Sequence, residues 1–583
     1  MSRSDIQRLS FRQQEIDAWS STDPRHKNWP VVYVLDEPGR GTALRSVYVG
    51  ESLNAATRMR QHLKSSEKRA LKRIRVIVDE TYNKSVCLDL ESYLIRMLSG
   101  DGAFQVLNRN DGITDAEYFD RSRYRERFQD VFQQLKDDGV FTRTIPQIEN
   151  SDLFKLSPFK ALSIEQSVAV NDVLEHLSTD LAGSESTTTV IHGEPGTGKT
   201  VVAIFLLKLI ADIARSTSPE DVDVDSMFSE FFAEGAGDAF RGLRVALVVP
   251  QQSLRNSVKR VFRRTPGLKG TPVLTPFEVG ESDGVFDLLI VDETHRLSRR
   301  ASQPSGLLNT KFGQINIALF GSDDVRKTQL DWLIAKSRHR IFLLDALQTV
   351  RPADLDAPTV RALTRTAADE HRLYRLTSQM RVKSTDEYVN FVREMLGGSS
   401  GHTVPRSKPD LGDYELRLFD DVEEMRQAVL RKDASMGLAR MVAGYAWQWH
   451  SKRDRDAWDI EIGAHRYRWN STVKEWISSA RALEEIGSIH TVQGHDLNYA
   501  GVIIGPDLRL DAETGRVHAH RESYFDRKGK DGNPTLGTVV DDDDLRVFIV
   551  NIYAVLMTRG MRGTYLYVCD PALRERIRRL LPG

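Results

Sequence analysis

The stretch IHGEPGTGKT, residues 191–200, decides the fold. Its spacing is G-x-x-x-x-G-K-[ST], met by Gly193, Gly198, Lys199 and Thr200, with Glu194, Pro195, Gly196 and Thr197 between them. The β-branched run TTTVIH precedes it and the apolar, helix-like VVAIFLLKLIADIA follows it. A strand, a glycine turn and a helix in that order predict a phosphate-binding loop. Glycines let backbone N–H groups turn inward, and the helix N-terminus adds partial positive charge. Lys199 is expected on the β and γ phosphates, and the Thr200 hydroxyl on Mg²⁺. The expected ligand is ATP with Mg²⁺.

Downstream, FDLLIVDETH ends an apolar run in Asp292 and Glu293. A carboxylate at such a strand end would hold Mg²⁺, directly or through water, and the next one would polarise the attacking water. Other short apolar runs, RVALVVP, RIFLLDA and AGVIIG, are bounded by turn signals, as buried parallel strands are.

Length and composition fit a multidomain globular protein. The 583 residues allow about three or four domains of roughly 150 residues. Hydrophobic residues are 40%, charged residues 28% and the net charge is -1, so nucleic-acid contact must come from local patches. The two cysteines, Cys87 and Cys569, lack metal-ligand spacing and read as core thiols of a reducing compartment. No apolar leader or membrane-length run is evident, so no membrane association and a cytoplasmic location are expected. Three polar or acidic stretches, near residues 216–240, 397–413 and 538–545, read as solvated insertions.

Further blocks follow the loop in order. LSIEQSVAV places Gln166 upstream of it, and VALVVPQQSLRNSV and LTPFEV come next. FLLDALQTV offers Asp345 and Gln348, and LTSQMR offers Gln379 and Arg381. SIHTVQGHDLNYAGVIIG carries Thr491, Gln493, Gly494 and Asp496, and NIYAVLMTRGMRGTYLYV carries Arg559. This series resembles superfamily 1 helicases, and its wording resembles the ATPase domain shared by Schlafen-type proteins and a bacterial family of unknown function. The resemblance covers about residues 160–575. It implies two RecA-like lobes, with Gln166 on the adenine edge, Gln348, Arg381 and Gly494 at the nucleotide, and Arg559 as an arginine finger. DETH and the block around Asp345 depart from the commoner helicase wording, so strand unwinding is not implied.

The N-terminal stretch SVYVGESLNAATRMRQH, residues 46–62, follows VVYVL, and the two strand-like runs read as a hairpin with a long glycine-containing turn. Tyr33 and Tyr48 would then project to one face. A helix carries Arg58 and His62, LESYLI supplies Glu91, and VLNRN supplies Asn108. This arrangement resembles a GIY-YIG endonuclease domain, with Val31 where that family has glycine. The resemblance makes one of the two tyrosines the base, without deciding which, and implies Arg58 on the phosphorane oxygens. It gives Glu91 a divalent ion, Mg²⁺ or Mn²⁺, with His62 and Asn108 in support.

The expected fold class is α/β: a small α+β GIY-YIG domain followed by two RecA-like parallel-sheet ATPase lobes. Expected boundaries are 1–113 for the nuclease domain with a helical lead-in, 114–160 for a helical linker, and 161–365 and 366–583 for the two lobes. The expected activity is an ATP-dependent DNA endonuclease controlled by a helicase-like motor. Fusions of this kind imply defence against foreign DNA, or repair. The alternatives are RNA as substrate, and a nucleic-acid-binding signalling ATPase without cleavage.

Overall fold

Val31–Asp36, the run VVYVLD, is buried at every position. The reason is visible in its two faces. Tyr33 and Leu35 pack with Ile16, Met59 and Ile74 on one side. Val32 and Val34 pack with Leu90, Leu94 and Phe128 on the other. Each fully buried Val or Leu side chain contributes about 1.5–3 kcal/mol, so this strand anchors the N-terminal sheet.

The computed structural model describes residues 4–39, 44–109, 117–216, 227–300, 303, 305–345, 352–378, 387–398, 400–405, 407–472, 475–492, 495–530, 532, 536–537 and 539–581. The chain forms two compact units. One is Met1–Ala182 with Val201–Gly242 and Ser257–Thr271, and the other is Gly183–Thr200 with Leu243–Asn256 and Pro272–Gly583.

In the first unit the strands are β1 (Asp5–Ser10), β2 (Val31–Asp36), β3 (Arg45–Ser52), β4 (Arg73–Val78) and β5 (Phe104–Val106), in the order β1-β4-β2-β3-β5. The β2–β3 hairpin pairs Tyr33 with Gly50 and Leu35 with Tyr48, which puts both tyrosines on one face. Two expectations need correction here. The lead-in is not simply helical: DIQRLS forms β1, pairing Ile6 with Ile77 and Leu9 with Ile74, before the helix Gln13–Ser20. The stretch 114–160 is more than a linker. Its helix Arg121–Asp137 carries Phe128 and Phe132 one turn apart, and both are buried in the core under β2.

The second unit holds two parallel sheets. The first comprises β6 (Thr187–Gly193), β7 (Val245–Val248), β8 (Val273–Leu274), β9 (Phe286–Val291), β10 (Ser337–Leu344) and β11 (Leu373–Leu376), in the order β11-β6-β10-β9-β7-β8. Four of the runs expected as parallel strands form β6, β7, β9 and β10, with β6 and β9 flanking β10, while AGVIIG lies in the second sheet. The second sheet comprises β12 (Glu415–Leu418), β13 (Ala439–Ala443), β14 (Ile460–Ile462), β15 (His465–Trp469), β16 (Glu485–Ser488) and β17 (Leu497–Ile504). A small ribbon, β18 (Leu508–Leu510) with β19 (Val517–Ala519), precedes its last strand, β20 (Gly560–Val568). Its order is β12-β20-β17-β13-β16-β15-β14, parallel except for the β14–β15 hairpin. An α/β architecture with two parallel sheets is as expected. Among the described residues, no helix is long and apolar enough to cross a membrane.

Candidate functional site

The carboxyl ends of β6, β9 and β10 are adjacent, and that edge is where open α/β sheets bind ligands. Three glycines shape the loop after β6. Gly196 and Gly198 take φ of +92° and +80°, conformations that cost side chains energy. A Cβ on Gly193 would sit 2.4 Å from the Thr197 hydroxyl. The helix Lys199–Arg215 starts at the end of this loop, with Glu194, Pro195 and Thr197 inside the turn.

Lys199 Nζ donates to the carbonyls of Gly193 at 2.6 Å and Glu194 at 2.9 Å, and lies 3.8 Å from Asp345 Oδ2. These are contacts that an incoming phosphate would replace. Thr200 Oγ1 donates to Asp292 Oδ2 at 2.7 Å. A hydroxyl and a carboxylate meeting at one point are hard oxygen donors of the kind Mg²⁺ takes, so the residues fit that ion. Burial, with Glu293 beside it, raises Asp292 above the usual carboxylate range, and a cation there would favour its ionised form.

Glu293 sits in the left-handed region, φ +51°, which costs a non-glycine residue about 1–3 kcal/mol. Burial opposes its charge, but His295 and Arg296 outweigh burial and keep its carboxyl below the usual range. His295 is fully buried, and its Nδ1 accepts the Asp345 backbone N–H at 3.2 Å. Nε2 therefore carries a proton, and it lies 3.0 Å from Glu293 Oε2. His295 thus ties the end of β10 to the DETH turn. Nothing in the sequence pointed to this link, because the two segments meet only through the parallel sheet.

Other expected residues take these positions. Arg559 is 2% exposed, with Nη1 3.5 Å from the His495 carbonyl. Gln166 closes a helix-capping pair, its Oε1 accepting the Ser163 N–H at 3.0 Å. Gln348, Arg381 and Gly494, with Gln379 and Gln493, lie outside the described residues.

The N-terminal residues converge on Tyr33. Asn54 caps the helix Ala55–Lys64 by accepting from Thr57 N, and Arg58 and His62 lie one turn apart on it. Tyr33 Oη and His62 Nε2 are 2.8 Å apart, and Lys68 Nζ is 2.8 Å from His62 Nδ1. An ammonium only donates, so His62 Nδ1 accepts, Nε2 carries the proton, and Tyr33 Oη accepts the hydrogen bond from it. Burial first, then the charges of Lys68 and Arg58, bring His62 down to about 2. Burial first, then Tyr48, pushes the Tyr33 phenol well above its ordinary value, with Arg58 and Glu91 also acting on it.

Tyr48 is half-buried, its ring centroid 4.9 Å from His62 and 3.8 Å below the Lys68 ammonium. Lys68 escaped the sequence reading because KSSEKR looks like a solvated run, yet it is 5% exposed. Asn108 brackets Val49, accepting its N–H at 3.1 Å and donating to its carbonyl at 2.8 Å, which pins β3. Glu91 is half-buried on the helix Lys84–Asp101, one turn from the buried Cys87.

Two outcomes follow from this geometry. A Cβ at Gly50 would lie 2.4 Å from the Tyr33 hydroxyl, which His62 holds in place. Gly50→Ala should therefore destabilise the N-terminal unit by about 1–3 kcal/mol, read as faster hydrogen exchange of the β2 amides. His62 gives a pH effect. Below its unfolded value of about 6.5 the unfolded chain takes up a proton that the folded site refuses, so stability present above that pH is lost as pH falls. The loss is up to about 1.4 kcal/mol per pH unit. His62→Gln should flatten the β2 exchange difference between pH 7 and 5.5. An equal pH effect in wild type and variant would contradict the buried neutral imidazole.

A profile of the Schlafen group 3 DNA/RNA helicase domain matches residues 186–570. The chain belongs to that family. Membership makes it a helicase-like P-loop ATPase, in keeping with the geometry of β6, β9 and β10. This Schlafen-type chain is also 25% identical over 465 residues to an uncharacterized protein of Saccharomyces cerevisiae, covering 74% of its own length and 94% of the relative's. Among solved structures it is similar to a DEAD box protein from Methanococcus jannaschii. That match has 10% identity and a TM-score of 0.21, covering 72% of this chain and 94% of that one. It is also similar to a Pif1 helicase from Bacteroides in complex with ADP-AlF3 and ssDNA, with 11% identity and a TM-score of 0.25, covering 71% and 94%.

Proposed function

We propose that this chain is an ATP-driven nuclease, in which the Schlafen-type ATPase controls a GIY-YIG-type cutting site at residues 30–112. The observation that carries the nuclease reading is the convergence of Tyr33, Tyr48 and His62 on one buried cluster, with Gly50 making room for the Tyr33 hydroxyl.

The residues divide the work by their environments. Tyr33 is held protonated by burial and its hydroxyl oxygen accepts a hydrogen bond from His62 Nε2–H, so it is a poor base. Tyr48 is the less buried of the two tyrosines, with the Lys68 ammonium over its ring, so it is the one that takes the proton from the attacking water. Arg58 bears on the phosphorane oxygens, and Asn108 holds the strand that presents Tyr48. Among the described residues, no group of three or more His, Cys, Asp or Glu is placed to hold a metal. A divalent ion at this cluster, Mg²⁺ or Mn²⁺, would therefore take Glu91 together with oxygens of substrate and water, and would supply charge for the leaving oxygen.

At the ATP site, Lys199 binds the β and γ phosphates and Glu293 orients the attacking water, fixed by His295. When bound, Mg²⁺ would be held by Thr200 and Asp292 and would neutralise phosphate charge. Arg559 senses the γ-phosphate, and Gln166, Gln348, Arg381 and Gly494 complete the nucleotide's surroundings. DNA is the favoured substrate, with RNA the alternative.

The test is to incubate the protein and Mg²⁺ with plasmid, single-stranded DNA or tRNA, with and without ATP. Cutting of plasmid or single-stranded DNA supports the reading as stated. Cutting of tRNA alone moves the substrate to RNA. ATP turnover with no cutting of any of the three reduces the chain to a nucleic-acid-binding ATPase. Arg559→Ala should keep ATP affinity within a few-fold while losing about 10³-fold or more in hydrolysis. Unchanged turnover would remove it from the site.

A further inference from the structure

The carboxyl edge of the second sheet carries an aromatic array that neither proposed reaction uses. Four of the eight tryptophans, Trp447, Trp449, Trp458 and Trp469, fall between residues 447 and 469. Tyr445, just past β13, has its ring 5.3 Å from His490, just past β16, and 6.0 Å from Trp469. Trp447 and Trp449 lie 6.5 and 6.2 Å from Trp469. Trp469 is 1% exposed, and its buried indole nitrogen has no hydrogen-bond partner among the described residues. Tyr445, Trp447, Trp449 and His490 are half-buried around it. A Cβ at Gly505, past β17, would lie 2.2 Å from Ala446 and 3.0 Å from the Trp447 ring, so the array lies against the end of that strand too.

The β14–β15 hairpin extends the array into solvent. Trp458 is 43% exposed, and the Arg468 guanidinium lies 4.0 Å over its ring. Arg468 is itself held by the carbonyls of Ala457 at 3.1 Å and Asp456 at 2.9 Å. One face of the indole is thus backed and the rest is presented. Lys452 lies 5.7 Å from the Trp449 ring.

The charges of this loop are sorted. Asp459 is turned inward, accepting from Ser451 and from the Trp469 N–H, and Glu461 pairs with Arg466. Lys452, Arg453 and Arg455 are exposed and form no ion pair among the described residues, beside the exposed Asp454 and Asp456. Rings packed for stability alone would be covered. Half-buried rings next to exposed cations that form no ion pair among the described residues match one polymer, a single-stranded nucleic acid, whose bases stack on rings while its phosphates meet cations. A duplex keeps its base faces to itself.

We propose that Tyr445, Trp447, Trp449 and Trp458, with Lys452, Arg453 and Arg455, form a stacking platform for single-stranded nucleic acid on the second lobe. This rests on the nucleic-acid part of the proposed function and is independent of cleavage. The platform gives that lobe its own grip on the strand, which a motor needs on each lobe if closure is to move the strand.

The test is fluorescence anisotropy of the full chain with labelled oligo(dT), oligo(U) and duplex DNA of about 20 nucleotides or base pairs, longer than one single-strand site of roughly 4–16 nucleotides. Wild type should prefer the single strands. Trp458→Ala should weaken that binding by about 5- to 100-fold, whereas Trp458→Phe, which keeps a π-face, should stay within about threefold. Because Trp458 is exposed, its loss should leave the fold intact, as circular dichroism would confirm. Arg453→Glu with Arg455→Glu should make the slope of log affinity against log salt shallower by about 1–2. Wild type that binds single strands while Trp458→Ala binds them equally would overturn the platform and leave the nucleic-acid reading standing. A preference for the duplex would also overturn the platform. Wild type that binds none of the three would overturn that reading as well.

Discussion

Glu293→Gln is expected to bind ATP nearly as tightly as wild type and to hydrolyse it about 10²–10⁴-fold more slowly, the range that a positioned general base contributes. The substitution keeps the side chain's size and removes its charge, so the strained turn at φ +51° has the same shape to fill. His295 and the end of β10 would still meet it. Lys199→Ala should fail one step earlier. It removes the ammonium now held by the Gly193 and Glu194 carbonyls, and with it the γ-phosphate contact, so ATP affinity itself should fall. Equilibrium binding of a fluorescent ATP analogue beside steady-state turnover separates the two. Normal turnover in purified Glu293→Gln would refute the assigned role.

Loss of cutting with retained ATP hydrolysis is the second large effect expected, from Glu91→Ala. Glu91 is the carboxylate proposed to hold the divalent ion, so its loss should reduce cleavage below detection. The ATP site is built by other residues, around Lys199, Asp292 and Glu293, so hydrolysis should stay nearly intact. Tyr48→Phe should cost about 10²–10⁴-fold if this tyrosine is the base. Tyr33→Phe should cost less, because that hydroxyl is already tied to His62. Equal losses in the two tyrosine variants would mean that burial does not distinguish their roles.

These effects separate what was legible in the sequence from what was not. The phosphate loop announced itself because its chemistry depends on local spacing: a strand, three glycines and a helix start lie within a few residues. The β2–β3 hairpin was legible for the same reason, and the period of two put Tyr33 and Tyr48 on one face. β1 was hidden because it is an edge strand with polar residues outward, so its composition reads like the helix that follows. The helix Arg121–Asp137 looked like a linker because its charged face dominates its composition. Its aromatic stripe acquires meaning only once β2 and the helix Lys84–Asp101 are beside it. Lys68 and His295 were invisible for a deeper reason. Each acts through a partner brought to it by a turn or a sheet, and lysine beside serine, or histidine after threonine, carries no spacing signal. The exposed Trp458 belongs with them, since a tryptophan on a hairpin reads as packing until its surroundings are known.

The central claim is that a Schlafen-type ATPase controls a nuclease on the same chain, and one measurement tests it most directly. Cleavage of plasmid, single-stranded DNA and tRNA is followed in Mg²⁺ with ATP, with a non-hydrolysable analogue and without nucleotide, for wild type and for Glu91→Ala. Wild type should cut at least one of these substrates at rates that differ among the three nucleotide conditions, and Glu91→Ala should cut none in any of them. The account is contradicted if wild type cuts nothing, if Glu91→Ala cuts as wild type does, or if wild type cuts at one rate whatever the nucleotide.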